Sequence, residues 1–436
     1  MTTAELGIHF FIQLAVILGV CRIVGLLARR MGQPQVIGEM IAGILLGPSL
    51  LGLLAPQVQN FLFPKGPAMS IIYAASQVGL ALYMFLVGLE FDTGLLRTRM
   101  RTAVAVSMAG VATPMVLGAL VAVALVAHQG SFFTAGVSPV QAILFMGAAI
   151  GITAFPTLAR IIYDRKLNGT SLGTLALAAG SVDDAISWCM FAVVLAFFKQ
   201  SSLVAIMAIL GGALYALFVL TAGKRMLSPL GTLADRHGGV TSPMLALVLF
   251  LLMSAAWLTD TIGIYAVFGA FILGVAMPRG VFAQHLKNAL EPLVTTFMVP
   301  LFFIYSGLNT QIGLVDSVAM WGATILLLAI SVIAKGVACY TAARLSKEPN
   351  RDALAIGSLM NARGMMELIL LNIGLQAGLI TPLLFTMLVF MAIVTTLAAT
   401  PLFEVFYGRH RRHETVVPQV VAGAPDITLA HETARR

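Results

Sequence analysis

Charged residues are scarce in this sequence. Asp, Glu, Lys and Arg make up 10% of its 436 residues and hydrophobic residues 59%, whereas a soluble domain carries about 25% charged residues. The hydrophobic residues form runs of about 20, the length of a helix that crosses a bilayer core roughly 30 Å thick. These runs do not alternate between apolar and polar residues as membrane-barrel strands do. The sequence therefore predicts an all-α membrane protein.

Cysteine is also rare, and Cys21, Cys189 and Cys339 all fall inside apolar runs. An odd number of cysteines in such runs argues against a disulfide framework. The sequence has no phosphate-binding loop, nucleophile elbow or metal-ligand cluster, so we expect neither an enzyme nor a cofactor. Its net charge of +8 comes mainly from basic residues in short loops, which indicates membrane topology and not nucleic-acid binding.

The apolar runs predict thirteen transmembrane spans, followed by a short cytoplasmic tail at residues 409–436. Residues 1–28 are kept as the first span because they lack the features of a cleaved signal peptide. The predicted spans are 6–28, 34–54, 68–90, 102–127, 139–163, 170–198, 202–222, 243–260, 262–278, 288–308, 317–345, 352–378 and 382–407.

The loop charges predict the orientation. One set of alternate loops, together with the tail, holds 20 Lys and Arg residues, and the opposite set holds only Lys65 and Lys199. Positively charged loops stay on the cytoplasmic side. We therefore expect a multi-pass protein of the inner (plasma) membrane, with the N-terminus outside and the C-terminus in the cytoplasm.

Two halves of the chain resemble each other at an offset of seven spans. Ile37-Gly38-x4-Gly43 in span two matches Phe268-Gly269-x4-Gly274 in span nine, and Phe85–Glu90 matches Ile304–Asn309. Because seven is odd, paired spans cross in opposite directions, as in the inverted-topology repeats of secondary transporters. The alternative is chance similarity between glycine-rich membrane helices.

Spans five and twelve pair in this repeat, and both carry helix-breaking residues near their middle. Pro156 follows Gly151–Phe155 in span five, and Asn361–Gly364 interrupts span twelve. Interrupted helices at corresponding positions of two halves indicate a substrate site. We predict two broken helices that cross, although Pro156 alone is also compatible with a simple kink.

Two adjacent carboxylates, Asp183 and Asp184, lie near the bilayer midplane in span six. Their side chains point about 100° apart on a helix, so they cannot share one role. Ionisable groups at this depth cost roughly 2.5–3.5 kcal/mol to insert and are usually functional. Carboxylates suit both protons and hard cations.

Three further ionisable residues lie inside spans eleven and twelve. Lys335 needs a partner, for which Asp183 is our candidate, unless a tilted helix lets it reach the interface. Arg363 and Glu367 have the spacing of an intrahelical ion pair. Alternatively, Arg363 neutralises the crossing of the broken helices or holds Glu39.

Seven stretches together resemble the monovalent cation:proton antiporter-2 family, over about residues 8–407. They are Gln35–Pro48, Phe85–Asp92, Thr153–Arg160, Asp183-Asp184, Val267–Phe271, Pro300–Phe303 and Asn361–Gly364 with Glu367.

This resemblance implies the sodium/proton antiporter fold and a homodimer. Residues 1–408 would form a transmembrane antiporter domain, with spans 1–3 and 8–10 as its dimerisation part and spans 4–6 and 11–13 as its mobile core. Asp184 would bind the cation, Asp183 would pair with Lys335, and Thr153 would lie near the ion. Pro156, Asn361, Arg363 and Glu367 would support the broken helices.

The implied function is exchange of a monovalent cation (Na⁺, Li⁺ or K⁺) for H⁺, with Na⁺ favoured, in pH homeostasis. Retention of both acids fits electrogenic exchange of two protons per cation. Relatives gated by a ligand carry a nucleotide-binding region after the last span, so we do not expect that regulation. The alternatives are a sodium-coupled solute symporter on the same fold and a cation channel.

Overall fold

The structure is a computed structural model that describes residues 3–33, 35–64, 66–90, 96–127, 131–165, 167, 170–198, 202–262 and 265–407. Its elements are α-helices with short π- and 3₁₀-helical turns. The α-helices are α1 (Thr3–Arg30), α2 (Gln35–Leu46), α3 (Leu51–Leu54), α4 (Pro56–Leu62), α5 (Pro67–Glu90), α6 (Leu96–Val126), α7 (Pro139–Gly151), α8 (Phe155–Asp164), α9 (Ser171–Phe198), α10 (Ser202–Phe218), α11 (Lys224–His237), α12 (Ser242–Ile262), α13 (Ala266–Ala276), α14 (Val281–Leu293), α15 (Val299–Leu308), α16 (Val318–Leu345), α17 (Asn350–Leu359), α18 (Met365–Gln376) and α19 (Pro382–Phe406).

The helices confirm the predicted all-α membrane architecture. Nine helical stretches among the described residues are long and apolar enough to cross a membrane, and three further apolar helices are shorter. Every predicted span coincides with one helix or with a pair of consecutive helices. The number of thirteen spans stays a prediction, as does the cytoplasmic tail, since residues 408–436, Lys65 and Lys199 lie outside the described residues.

Spans five and twelve are broken as predicted. Between α7 and α8 the helix is interrupted at residues 152–154, and Pro156 is the second residue of α8. A proline is tolerated in the first turn of a helix because no intrahelical partner is needed for its missing N–H. Between α17 and α18 the interruption covers residues 360–364, where Gly364 has a positive φ of 159°.

The helices differ in two details from a simple reading of the predicted spans and loops. Span two is not one helix, because α2 ends at Leu46 and the chain resumes helical geometry only at Leu51; a residue before proline, here Gly47, is pushed out of the helical region. Most of the described basic residues that were assigned to loops lie in helices; Lys224, Arg225 and Arg236, for example, lie in α11. This helix extends past the apolar run because it packs against α14.

Burial separates lipid-facing helices from central ones. α1 and α12 carry large exposed apolar side chains such as Phe11 and Trp257, whereas α19 is largely enclosed by the protein. Membrane helices are expected to expose apolar side chains to lipid, since lipid tails are as apolar as leucine. The enclosed helices α7, α18 and α19 therefore form the interior in which polar groups can be held.

Close glycine contacts join the helices of spans 1–3 and 8–10. α2 crosses α15 at Gly43 and Gly307, where a Cβ atom on Gly43 would lie 2.5 Å from a backbone oxygen of α15. α5 crosses α13 at Gly88 and Gly274, where a Cβ atom on Gly274 would lie 2.2 Å from a backbone oxygen of α5. The sequence repeat equates Gly43 with Gly274 and Gly88 with Gly307, so the two crossings are equivalent under it.

We predict that Gly43→Ala lowers the stability of the purified protein by about 1–3 kcal/mol, because the added methyl group overpacks the crossing. The measurement is thermal unfolding in detergent. Gly19→Ala in α1 is the control, since a Cβ atom there meets nothing within 4 Å. Equal unfolding midpoints for the two variants would contradict close packing at this crossing.

Candidate ion-binding site at the helix breaks

Asp183 and Asp184 lie in the middle of the 28-residue helix α9, and neither has any solvent-exposed surface. α9 packs against α6, α7, α8 and α17. Both carboxylates are therefore held inside the helix bundle, and their depth in the bilayer stays a prediction. Carboxylates at this depth are costly and are normally paired or functional.

The two helix breaks touch each other directly beside α9. The backbone N–H of Ala154 donates to the carbonyl oxygen of Ala362 at 3.1 Å. The hydroxyl of Thr153 donates to the carbonyl oxygen of Met360, also at 3.1 Å. Because the freed backbone groups bond across the crossing, the two interruptions satisfy each other inside the protein, as irregular backbone at membrane depth requires.

Asp183 binds the start of α8 and an ammonium group at the same time. Its Oδ2 atom accepts a hydrogen bond from the Thr153 N–H at 3.0 Å and lies 3.2 Å from Lys335 Nζ. Lys335 is fully buried and also donates to the carbonyl oxygen of Gly151, the last residue of α7. Lys335 thus links the carboxylate of α9 to the C-terminal end of α7, where a positive charge is favourable.

Arg363 binds the same end of α7. Its guanidinium donates to the carbonyl oxygens of Ala149 at 2.8 Å and Ile150 at 2.5 Å, and to the Ser331 hydroxyl at 2.5 Å. Two cations therefore hold the last carbonyl groups of α7, which would otherwise lack partners inside the helix. Neutralisation of the broken-helix crossing was one of the predicted alternatives for Arg363.

Glu367 lies opposite the same guanidinium. Its Oε2 atom is 3.2 Å from Arg363 Nη1, and both side chains are fully buried. The pair predicted from the spacing is thus present, but it is not intrahelical, because Arg363 lies in the break before α18. Glu39, the other proposed partner of Arg363, instead accepts a hydrogen bond from Gln35 at 2.9 Å. Arg363 therefore combines the pair with Glu367 and the capping of α7, which the sequence analysis treated as alternatives.

The crossing has a second polar contact that the sequence analysis did not select. Thr396 in α19 accepts a hydrogen bond from the Arg363 N–H at 3.1 Å. In the repeat, α19 is the counterpart of α9. Thr396 accepts the backbone N–H at the break in span twelve, just as Asp183 accepts the Thr153 N–H at the break in span five. Its signal in the sequence is weak, because Thr395 and Thr396 are two hydroxyl residues in a long apolar run.

The other predicted site residues are placed as follows. Asn361 is buried and donates through Nδ2 to the carbonyl oxygen of Gly357 at 2.9 Å, so it caps its own helix α17. The backbone of Pro156 is in the first turn of α8, and its side chain lies outside what the structure describes. The structure brings Thr153, Asp183 and Lys335 together, and their roles in ion binding stay predictions.

The site has oxygen atoms and little else to offer a metal ion. Among the described residues, no group of three or more His, Cys, Asp or Glu side chains could hold a metal. Carboxylate, hydroxyl and carbonyl oxygens suit hard cations and not the soft transition metals. Oxygen atoms of this kind are ligands that hard cations accept, and carboxylates also accept protons.

Comparison with known proteins gives three findings. A family model described as "Sodium/hydrogen exchanger, transmembrane" matches residues 15–405. Na⁺/H⁺ antiporter NhaS4 of Synechocystis is 39% identical over 397 residues, covering 91% of this chain and 96% of that protein. Cation/H⁺ antiporter 19 of Arabidopsis thaliana is 33% identical over 413 residues, covering 93% of this chain, which spans about half (51%) of the plant protein.

A solved structure has the same fold. The sodium proton antiporter MjNhaP1 from Methanocaldococcus jannaschii superposes with a TM-score of 0.65 over 92% of this chain and 97% of that chain, at 14% sequence identity. At this identity the likeness concerns the fold.

We predict that Asp183→Asn destabilises the protein by about 3–5 kcal/mol, because it leaves the ammonium of Lys335 buried without its counter-charge. Lys335→Met should cost a similar amount. The double variant should lose clearly less than the sum of the two, since both charges are then absent.

Thermal unfolding of the four proteins in detergent measures this coupling. Asp235→Asn is the matched control because Asp235 is exposed on α11, and it should unfold as the wild type does. Additive effects of the two substitutions would show that the contact between Asp183 and Lys335 carries no interaction energy.

Proposed function

This chain belongs to the sodium/hydrogen exchanger family of transmembrane transporters, and we propose that it exchanges a monovalent cation for protons across the membrane. Family membership confirms the resemblance predicted from the sequence motifs. The observation that supports exchange most directly is a pair of fully buried carboxylates beside two crossing helix breaks, with a buried ammonium on one of them. Na⁺ is the favoured cation, and K⁺ and Li⁺ are the alternatives.

In this proposal Asp184 binds either a cation or a proton, and never both. A hard cation needs several oxygen ligands, and the break residues beside α9 supply hydroxyl and carbonyl oxygens. Because Asp184 carries one negative charge when ionised, a proton and a monovalent cation neutralise it equally. Competition for one carboxylate then couples the two fluxes without any further device.

Asp183 supplies the second proton in this proposal. It is either ionised and paired with Lys335, or protonated with the pair broken. Lys335 also donates to the Gly151 carbonyl oxygen, an acceptor that protonation of Asp183 does not remove. Release of two protons for one cation moves one net charge per cycle and makes the exchange electrogenic.

Transport also requires the site to open, because both carboxylates have no exposed surface. We propose that spans 4–6 and 11–13 form a mobile core that carries the site, and that spans 1–3 and 8–10 form a scaffold. The glycine crossings described above lie within the scaffold. We further expect a homodimer in the plasma membrane, with the N-terminus outside.

We predict that the purified protein, reconstituted into liposomes with an enclosed pH dye, changes the internal pH when a Na⁺, Li⁺ or K⁺ gradient is imposed. Asp184→Asn should abolish this response, because the amide cannot exchange a proton for a cation. Asp235→Asn should leave it unchanged. Equal pH responses of the wild type and Asp184→Asn would contradict the proposal. Sodium-coupled flux of an organic solute without a pH change would favour the symporter.

A second prediction concerns charge movement. In liposomes loaded with Na⁺, an inside-negative K⁺ diffusion potential set by valinomycin should speed proton uptake, because net positive charge moves inward with the protons. A potential of 100 mV adds about 2.3 kcal/mol of driving force per charge. The same liposomes without valinomycin are the control. An unchanged rate would indicate electroneutral exchange and contradict two protons per cation.

A further inference from the structure

Two buried polar side chains meet between the proposed core and the proposed scaffold. Asn372 in α18 donates through Nδ2 to the hydroxyl oxygen of Ser306 in α15 at 3.1 Å. The exposed fractions of the two residues are 6% and 2%. α18 continues from the helix break that carries Arg363, so the contact joins the site-bearing helix to the scaffold.

Two more hydrogen bonds join these helix groups at the same face of the membrane. The N–H of Gln311, just after α15, donates to the Thr386 hydroxyl in α19 at 3.0 Å. Gln376 Nε2 donates to the Tyr305 hydroxyl at 3.4 Å. α15 and α18 end here and α19 begins here. By the distribution of basic residues this is the outer face.

The opposite face has a weaker counterpart. There Gln33, just before α2, donates through Nε2 to the carbonyl oxygen of Leu397 in α19 at 3.4 Å. This distance, like that between Gln376 and Tyr305 on the outer face, is beyond the usual 2.7–3.2 Å of such bonds. The described contacts therefore hold the two helix groups together more firmly on the outer face than on the inner one.

Stability alone does not explain a polar pair at this interface. A buried hydrogen bond adds little net stability over a well-packed apolar contact. In addition, Asn372 Oδ1 accepts no hydrogen bond from the described residues, which is unfavourable in a buried site. The Asn372–Ser306 hydrogen bond can form in one arrangement of core and scaffold and break in another. Such a bond would stabilise the first arrangement relative to the second.

We propose that Asn372 and Ser306 form an outer latch, which closes the outer access route and must open once in every transport cycle. The inference rests on the proposed function, because it takes the core to move against the scaffold. Gln311 and Thr386 reinforce the latch from the neighbouring helix. Loss of the latch favours the outward-open arrangement, in which the core separates from α15 at this end.

The first test joins the latch covalently. In a background in which the three native cysteines are replaced by alanine, Ser306→Cys and Asn372→Cys are combined, oxidised, and checked for the linkage by mass spectrometry. We expect the disulfide to lower the cation-dependent proton flux at least about tenfold. Reduction of the disulfide should restore the flux.

A matched pair controls for the chemistry. Thr381 donates to the carbonyl oxygen of Ser131 at 2.7 Å, and both residues lie on the outer side within the proposed core. The oxidised double variant Ser131→Cys with Thr381→Cys should therefore exchange ions as fast as the same variant does when its thiols are reduced. Undiminished flux through the linked Ser306–Asn372 pair would overturn the latch while leaving the proposed exchange function in place.

A second test needs no transport. Spin labels at Val58 on α4 and Val140 on α7, both exposed, report the distance between scaffold and core on the outer side. Asn372→Ala and Ser306→Ala should each raise the population of the longer distance about two- to tenfold, since one hydrogen bond is lost. Ser254→Ala, which removes an exposed hydroxyl on α12, should not.

The two tests separate the two proposals. An unchanged distance distribution in both alanine variants would overturn the latch even if exchange is observed. A shifted distribution, in a protein whose wild type shows no cation-dependent proton flux, would support the latch and sink the antiporter function.

Discussion

The C-terminal end of α7 is the constraint on which the rest of the site depends. A helix that stops in the middle of a bilayer leaves its last carbonyl groups without partners, and no water is present in the lipid to replace them. Here Lys335 and Arg363 supply those partners from spans eleven and twelve. Both cations are themselves costly at this depth, so each is matched by a carboxylate, Asp183 or Glu367. The buried charges thus follow from the break.

Asymmetry between the two halves creates the chemistry of the site. At one break the carboxylate of Asp183 accepts the free N–H of Thr153, and at the other the hydroxyl of Thr396 accepts that of Arg363. The geometry is equivalent, but only one of the two positions carries an ionisable side chain. The repeat therefore provides two crossing breaks, and the difference between aspartate and threonine places a carboxylate at only one of these two contacts.

The remaining helices show how a polar site is tolerated in an apolar chain. In the proposed scaffold, glycines allow α2 and α15 to approach until their backbones touch, and packing replaces a hydrophobic driving force that lipid does not provide. In the proposed core, polar side chains such as Asn361 bond to the ends of their own helices. Among the described residues, the shorter polar contacts between the two parts lie near helix ends, at Ser306 with Asn372 and at Gln311 with Thr386, which suits surfaces that separate and rejoin.

The sequence by itself determined the class of the fold and the positions of both breaks. It did so because apolar length, proline and glycine act locally and are visible in a linear pattern. It also paired Lys335 with Asp183, since so few charges lie in the spans that each has few possible partners.

Only the tertiary structure decided what those groups touch. Arg363 reaches across to Ala149 and Ile150 on a helix more than 200 residues away, and Thr396 and Asn372 look like ordinary polar residues in apolar runs. Amphipathic α11 extends beyond the predicted span because α14 gives it a surface to pack on. Such contacts depend on how helices that are distant in the sequence cross, and the spacing of residues along one helix does not predict these crossings.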